Sequence, residues 1–115
     1  MSYLILSDIH GNQEALEAVV DHASGRYDRI VCLGDLVGYG ADPNFVVDWA
    51  RAHVTAIVRG NHDRVMIDDD SLESYRGEAR EGVMWTRRTL NPDNLNYLSK
   101  MHRGPVLYEG FDLGL

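Results

Sequence analysis

The sequence predicts an α/β fold that begins β-α-β-α-β with parallel strands. Three short apolar runs alternate with two longer segments whose apolar residues recur at helical spacing. Alternation of this kind favours parallel strands joined by right-handed crossover helices. A short polar motif also follows each apolar run directly. These observations predict one sheet with several polar side chains gathered at its carboxyl edge.

The first strand and helix are predicted near the N-terminus. Residues 3–6 are almost continuously apolar, which is typical of a strand buried on both faces of a parallel sheet. Asn12 is predicted to cap the helix that follows, and Gly25 to end it. The helix should bury one face, made of Leu16, Val19, Val20 and Ala23.

The second and third strands are predicted at residues 30–33 and 54–58, around another helix. A glycine-rich loop spans residues 34–42. Asp42 and Pro43 form a typical helix start, with proline at the first helical position. The helix should run to about His53 and bury Val46, Trp49 and Ala50.

The remaining sequence predicts two helices and a hairpin. An acidic turn at residues 68–70 should lead into a helix from Ser71, with one face made of Ala79, Val83, Thr86 and Leu90. Asn91 and Pro92 indicate the start of a shorter helix, which Gly104-Pro105 should stop. Residues 106–108 and 111–113 are predicted to pair as a hairpin that turns near residues 109 and 110.

Composition limits the function classes. A length of 115 residues predicts one domain, and a net charge of -7 argues against nucleic acid as a structural partner. No apolar run approaches the ~18 residues of a membrane span, and no signal peptide is visible. Cys32 is the only cysteine and lies in an apolar run, so we expect a buried thiol. These features predict a cytoplasmic protein.

Three motifs carry the candidate chemistry, and each lies where a predicted strand ends. They are Asp8-Ile9-His10, Gly34-Asp35-Leu36-Val37-Gly38 and Gly60-Asn61-His62-Asp63. Ligands of parallel α/β sheets collect outside the carboxyl ends of the strands, so one fold can bring all three motifs together. Their side chains are those that a site with two metal ions needs to attack a phosphate ester.

The chemistry of these side chains suggests individual roles. Asp8 and His10 are two apart and should face the same side of an extended backbone. A carboxylate with an imidazole suits Mn, Fe, Zn, Co or Ni. The Asp35 carboxylate could bridge two metals, and Asn61 offers an amide oxygen. Asp63 could orient the ring of His62, which as a histidinium could protonate a leaving alkoxide.

The three motifs resemble the N-terminal half of the calcineurin-like metallophosphoesterase superfamily, in particular its small bacterial phosphodiesterases. The likeness spans residues 1–115, predicted as one phosphoesterase domain, and is most specific before residue 64. It implies part of a four-layer α/β/β/α sandwich with two divalent transition metals, Mn favoured. It also implies that a metal-bound hydroxide attacks phosphorus. In this resemblance Asp8 and His10 would bind the first metal, and Asp35 would bridge the two metals. Asn61 would bind the second metal and the phosphate. His62, paired with Asp63, would be the general acid.

The family pattern continues beyond this sequence. A strand resembling residues 111–115 normally leads into a histidine ligand, and a Gly-His-x-His segment follows later; neither occurs here. The other histidines, His22, His53 and His102, lie near predicted helix ends and are expected to be structural. We therefore expect a truncated chain whose sheet exposes an apolar face and an edge through which it could oligomerise.

The leading hypothesis is a metal-dependent phosphoesterase that acts on phosphate esters, with phosphodiesters favoured. The alternative is a binding or scaffold module with the same fold and no catalysis. The presence of His62 favours the enzyme. A nucleotide-binding α/β protein is a weaker alternative, because no glycine-rich phosphate fingerprint follows the first strand.

Overall fold

The computed structural model describes residues 1–113, and the predicted strand residues at 114 and 115 lie outside this range. In chain order the elements are β1 (Tyr3–Leu6), α1 (Gln13–Ala23), β2 (Arg29–Cys32), α2 (Pro43–His53), β3 (Ala56–Arg59), α3 (Asn61–Val65), α4 (Asp69–Leu72), α5 (Gly77–Thr89), α6 (Pro92–Ser99), β4 (His102–Arg103), β5 (Val106–Tyr108) and β6 (Phe111–Leu113).

The first four strands form one parallel sheet in the order β1-β2-β3-β4. The register places Ile5 opposite Val31 and Cys32 opposite Ile57. This sheet and its crossover helices confirm the predicted α/β class and its β-α-β-α-β start. Strand β4 was not predicted, because two residues carry no readable periodicity. The hairpin of β5 and β6 is antiparallel, as predicted.

Apolar side chains pack on both faces of the sheet, because neighbouring residues of a strand point to opposite sides. Cys32 faces the larger cluster, which includes the helices and the fully buried loop residues Leu36 and Val37. Val31 faces a smaller cluster with Val58 and Leu113. The β5–β6 hairpin thus covers part of the face opposite the main helices, while residues 36 and 37 fasten the glycine-rich loop into the core.

Three predicted burials are wrong. Ile5 is 57% exposed and Val19 is 45% exposed, although both were predicted to be buried. Strand β1 lies at an edge of the described four-stranded sheet and therefore has a neighbouring strand on one side only. Ala79 on α5 is also exposed, and Trp49 on α2 is only partly buried. Periodicity identifies which face of an element is apolar, but coverage depends on what packs there.

The helix boundaries mostly agree with their capping signals. The Asn12 side chain accepts a hydrogen bond from the backbone N–H of Ala15 at 3.0 Å, as predicted. Asp42 makes no such bond, although α2 begins at Pro43. The single helix predicted from Ser71 is in fact two helices: α4 begins at Asp69, where Asp68 caps it, and α5 begins at Gly77. Helix α6 ends at Ser99, before Gly104-Pro105, and β4 occupies the interval.

The histidines outside the three motifs and the single cysteine mostly lie at the predicted positions in the fold. His22 and His53 lie exposed in the last turns of α1 and α2. His102 lies in β4 instead of at a helix end. Cys32 is fully buried, as predicted, and this burial raises its thiol pKa to about 12. Within residues 1–113, every helix is too short or too polar to cross a bilayer.

Candidate metal centre

The loops that follow β1 and β2 are joined by backbone hydrogen bonds. The amide of Asp8 donates to the carbonyl of Gly34 at 3.0 Å, and that of His10 donates to the carbonyl of Asp35 at 3.0 Å. Gly11 donates to Leu36 at 2.7 Å. These bonds extend the pairing of the two strands past their ends. Two of the three predicted motifs are therefore held side by side by their backbones.

This pairing brings three candidate ligands together. Asp8, His10 and Asp35 each offer one ligand atom, and these atoms all lie within 4.8 Å of one another. Nε2 of His10 is 3.3 Å from a carboxylate oxygen of Asp8. The Asp8 side chain is 55% exposed, whereas Asp35 is 4% exposed as a residue. The group, here called the ligand cluster, is open to solvent on one side and closed on the other.

The backbone conformation that brings Asp8 and His10 together differs from the predicted one. Neither residue is extended: Asp8 has φ 59° and His10 has φ 52°. Asp35 is also left-handed, with φ 58°. This conformation is uncommon for residues other than glycine and is concentrated at functional sites. The prediction that Asp8 and His10 lie close together is therefore confirmed, but they do so on a left-handed backbone instead of an extended one.

The ring of His10 is oriented by a backbone carbonyl. Its Nδ1 lies 3.2 Å from the carbonyl oxygen of Val37, while its Nε2 faces Asp8. A neutral imidazole that donates from Nδ1 keeps the lone pair of Nε2 available for a cation. Metal-binding histidines are commonly oriented by such a partner. Val37 itself is fully buried, so this orienting carbonyl belongs to the core.

Asp35 forms the floor of the ligand cluster. Its Oδ1 accepts a hydrogen bond from the amide of His62 at 2.9 Å, which ties the second motif to the third. Gly60 packs directly on this carboxylate. A Cβ built on Gly60 would lie 2.1 Å from Oδ1 of Asp35, which no real side chain tolerates. The glycine before Asn61 is thus required by the close approach of the two loops.

The predicted role of Asp63 as the partner of the His62 ring is wrong. The Asp63 carboxylate is fully buried and accepts three backbone hydrogen bonds: from Asp35 at 2.7 Å, from Leu36 at 2.9 Å and from Gly60 at 3.0 Å. Burial raises its pKa to about 6, although these bonds oppose the rise. Asp63 therefore fastens the loop of the second motif to the loop of the third, and is a positioning residue.

His62 instead lies among aromatic rings. Its ring centroid is 4.9 Å from that of His10 and 4.9 Å from that of Tyr39. Burial lowers the pKa of His62, while the negative charges of Asp35 and Asp8 oppose that effect. A further negative charge nearby, such as the phosphate of a substrate, would favour the predicted histidinium.

Asn61 is the first residue of α3 and is exposed. It stands between Gly60, which packs on Asp35, and His62, whose amide Asp35 binds. All six predicted site residues thus lie at one edge of the sheet, although Asp63 points into the protein.

Ser7 is a further residue of this site that was not predicted. Its hydroxyl donates a hydrogen bond to the Asp8 carboxylate and lowers the pKa of Asp8. Its place directly before the first motif was the available signal.

The ligand cluster fits a divalent transition metal. It offers two carboxylates and one imidazole, a donor set that suits Mn, Fe, Zn, Co or Ni. Two carboxylates this close repel each other, and a bound cation would remove that repulsion. For a second ion, the predicted ligands among the described residues are Asp35, which would be shared, and Asn61. The described residues therefore offer three candidate ligands to one ion and two to a second, with Asp35 counted for both.

Comparison with known proteins agrees with this geometry. A protein of Methanocaldococcus jannaschii that carries no assigned function is 38% identical over 106 residues, covering 91% of this chain and 42% of its own length. A metallophosphoesterase structure from Sphaerobacter thermophilus aligns with TM-score 0.73 and 37% identity over 88% of this chain and 41% of its own. A structure named "putative diadenosine tetraphosphatase" aligns with TM-score 0.68 and 27% identity over 86% of this chain and 42% of its own length.

This chain therefore spans less than half the length of these relatives. The sequence profile of the calcineurin-like phosphoesterases matches residues 1–112, which include every motif described above. The chain belongs to the calcineurin-like phosphoesterase family.

Proposed function

We propose that this chain carries the N-terminal part of a metal-dependent phosphoesterase site that hydrolyses phosphate esters, with phosphodiesters favoured. The observation that carries the proposal is the ligand cluster, with ligand atoms within 4.8 Å of one another and His62 beside it. A cation bound between the Asp8 and Asp35 carboxylates would remove the repulsion between them, and this position at the carboxyl edge of a parallel sheet is where ligands collect.

Each residue has a proposed role in holding the metals and the substrate. Asp8 and His10 would bind one ion, Asp35 would bind both ions, and Asn61 would bind the second ion and the phosphate. When bound, two divalent ions, Mn favoured, would stabilise the charge on the phosphoryl oxygens and activate water. Asp63 and the Val37 carbonyl would keep Asp35 and His10 in place.

The leaving group needs a proton, which we assign to His62. Hydrolysis forms a bond between a water oxygen and phosphorus, and breaks the bond between phosphorus and the ester oxygen. The departing oxygen then takes a proton from the His62 ring, and the proton lost by water returns to solvent. A bound phosphate would raise the pKa of His62 and so oppose the effect of burial. The negative charge of a substrate phosphate would thus act in the same direction as the charges of Asp35 and Asp8.

The preference for phosphodiesters rests on the sequence resemblance. The relative named a diadenosine tetraphosphatase carries a name that implies a substrate whose phosphates join two adenosines. An assay panel therefore needs an aryl phosphodiester, an aryl phosphomonoester and diadenosine tetraphosphate. The cytoplasmic location, the absence of a nucleic-acid partner and an oligomer formed through the exposed sheet stay predictions.

The decisive experiment measures metal binding and hydrolysis separately. Mn²⁺ is titrated into the wild type, Asp35→Asn and His62→Ala by calorimetry, and hydrolysis of the panel is followed in parallel. We expect Asp35→Asn to lose both properties, because Asp35 is the shared ligand. His62→Ala should keep metal binding and lose hydrolysis, because its proposed role is proton transfer.

The other outcomes separate the alternatives. Metal binding without turnover of any panel member in the wild type would leave two alternatives, an incomplete site or the binding or scaffold module. Turnover that appears when the C-terminal part found in the relatives is added in trans would support the incomplete site, and its continued absence would support the module. Turnover that is unchanged in His62→Ala would overturn the proton-transfer role. A wild type that binds no Mn²⁺, Zn²⁺ or Co²⁺ would remove the basis of the proposal.

A further inference from the structure

A second concave site lies beside His62, whose ring also lies next to His10 of the ligand cluster. It is a cavity of about 270 Å³ between the glycine-rich loop and α5. Its walls include three aromatic side chains, Tyr39, Tyr75 and Trp85. His62 forms the wall nearest the ligand cluster, and Gly82 forms part of the α5 side. We call this cavity the ring pocket.

Tyr39 and His62 link the ring pocket to the ligand cluster, because both line the pocket and both lie beside His10. The ring of His62 is 4.9 Å from that of His10 and 6.4 Å from that of Tyr75. Tyr39 lies against both histidines, at 5.0 Å from His10 and 4.9 Å from His62, and is 84% exposed. A molecule with its phosphate at the ligand cluster could therefore extend past His62 into the pocket.

The lining of the pocket favours a neutral, flat group. Apart from His62, the only ionisable side chains among its described lining residues are two tyrosines and the carboxylate of Glu78. A second phosphate would meet Glu78 without a lysine or arginine to neutralise it. Aromatic walls prefer another ring, which stacks or packs edge to face. Apolar cavities of about 150 Å³ already hold benzene, so one ring fits this volume.

We propose that the ring pocket binds an aromatic group of the phosphoester substrate, attached through the ester oxygen near His62. This proposal deepens the proposed function and rests on it. The substrate class is an ester between phosphate and an aromatic or nucleoside-type alcohol whose ring is uncharged. Tyr39, Tyr75 and Trp85 are then the residues that determine specificity.

Gly82 offers a way to block the pocket without disturbing the catalytic residues. A Cβ built on Gly82 meets nothing within 4 Å, although this glycine lies inside α5 and lines the cavity. Leucine at this position should therefore fill the pocket while the helix stays intact. Gly82→Ala is the matched control, since it improves helix propensity equally well but adds only one methyl group.

The test compares phenyl phosphate with methyl phosphate by two-dimensional ¹H–¹⁵N NMR in the presence of Zn²⁺. The indole signal of Trp85 reports the ring pocket, the amide of His10 reports the ligand cluster, and the indole of Trp49 on α2 is an internal control. We expect phenyl phosphate to bind at least about tenfold more tightly and to move the Trp85 signal. Gly82→Leu should abolish this advantage, and Gly82→Ala should keep it.

The outcomes distinguish the pocket from the catalytic proposal. An unmoved Trp85 signal at saturation, or an advantage of phenyl phosphate that survives in Gly82→Leu, would overturn the pocket. If phenyl phosphate moves Trp85 as expected but no ester in the panel is hydrolysed, even with the C-terminal part found in the relatives added in trans, the pocket stands and the proposed hydrolysis fails. If phenyl and methyl esters are hydrolysed equally well with no Trp85 response, hydrolysis stands and the pocket fails.

Discussion

The ligand cluster has two sides that are held in different ways. On the buried side, the backbone N–H groups of Asp35, Leu36 and Gly60 each donate a hydrogen bond to the carboxylate of Asp63. On the exposed side, Asp8 is held by its own backbone bond to Gly34 and by the Ser7 hydroxyl. The buried groups have no water to replace a lost partner, whereas the exposed groups do.

Substitutions on the two sides should therefore affect different properties, folding stability on the buried side and ligand binding on the exposed side. A change on the buried side should cost folding free energy, because it leaves buried polar groups unsatisfied or forces two backbones apart. A change on the exposed side should leave the fold intact and alter only what the cluster binds. Four substitutions test this division, in decreasing order of expected effect.

Gly60→Ala should have the largest effect. The new methyl group would overlap Oδ1 of Asp35 at 2.1 Å, so the two loops must separate. We expect a loss of about 4 kcal/mol or more in unfolding free energy, measured by urea denaturation. Gly25→Ala is the control: its φ is +79° but its Cβ meets nothing within 4 Å, so about 1–2 kcal/mol is expected. Equal losses in the two variants would contradict the close-approach argument.

Asp63→Ala should come next. It removes the acceptor of three buried N–H groups, and we expect a loss of about 3 kcal/mol in unfolding free energy. Because Asp35 then loses its anchor, Mn²⁺ affinity should fall as well. The control is Asp21→Ala, which removes an exposed carboxylate on α1. A loss from Asp63→Ala no larger than that of the control would show that Asp63 does not fasten the loops.

His10→Ala tests the exposed side. The ring is partly exposed and makes one bond to a carbonyl, so the thermal midpoint should change little. Removal of one of three ligands should weaken Mn²⁺ binding by at least about tenfold in calorimetry. His22→Ala, an exposed histidine on α1, serves as the control. Unchanged Mn²⁺ affinity in His10→Ala would remove His10 from the ligand set.

Ser7→Ala should have the smallest effect. The hydroxyl of Ser7 donates to the Asp8 carboxylate on the exposed side, where water can replace it. We expect Mn²⁺ affinity to change by about two- to threefold, corresponding to about 0.5 kcal/mol. Ser24→Ala, after the end of α1, is the control. A loss as large as that of His10→Ala would mean that Ser7 does more than orient Asp8.

Much of the fold could be predicted because its signals are local. The strands at residues 3–6 and 30–33, the start of α2 at Pro43 and the cap at Asn12 depend on neighbours in the chain. The exposure of Ile5 and Val19 could not be predicted, because it depends on what packs against β1 and α1. Strand β4 was missed for a similar reason: it exists because Val58 is there to pair with it.

The site shows the same division. Asp8, His10 and Asp35 were predicted from residue chemistry and their places at strand ends, and the structure brings them together. The role of Asp63 was predicted wrongly, because the adjacent His62 was the obvious partner in sequence. Its actual partner Asp35 is 28 residues away, and that contact arises only when the strands pair.

The sequence by itself determined the α/β class, the edge of the sheet that carries the motifs, and the side chains that could bind a metal. Only the tertiary structure decided that Asp63 faces inward, that Asp8 and His10 are left-handed, and that an aromatic pocket lies beyond His62. The physical reason is the distance along the chain over which each interaction acts. Periodicity and capping act within a few residues, whereas burial and backbone-to-carboxylate bonds join loops that meet only after the chain has folded.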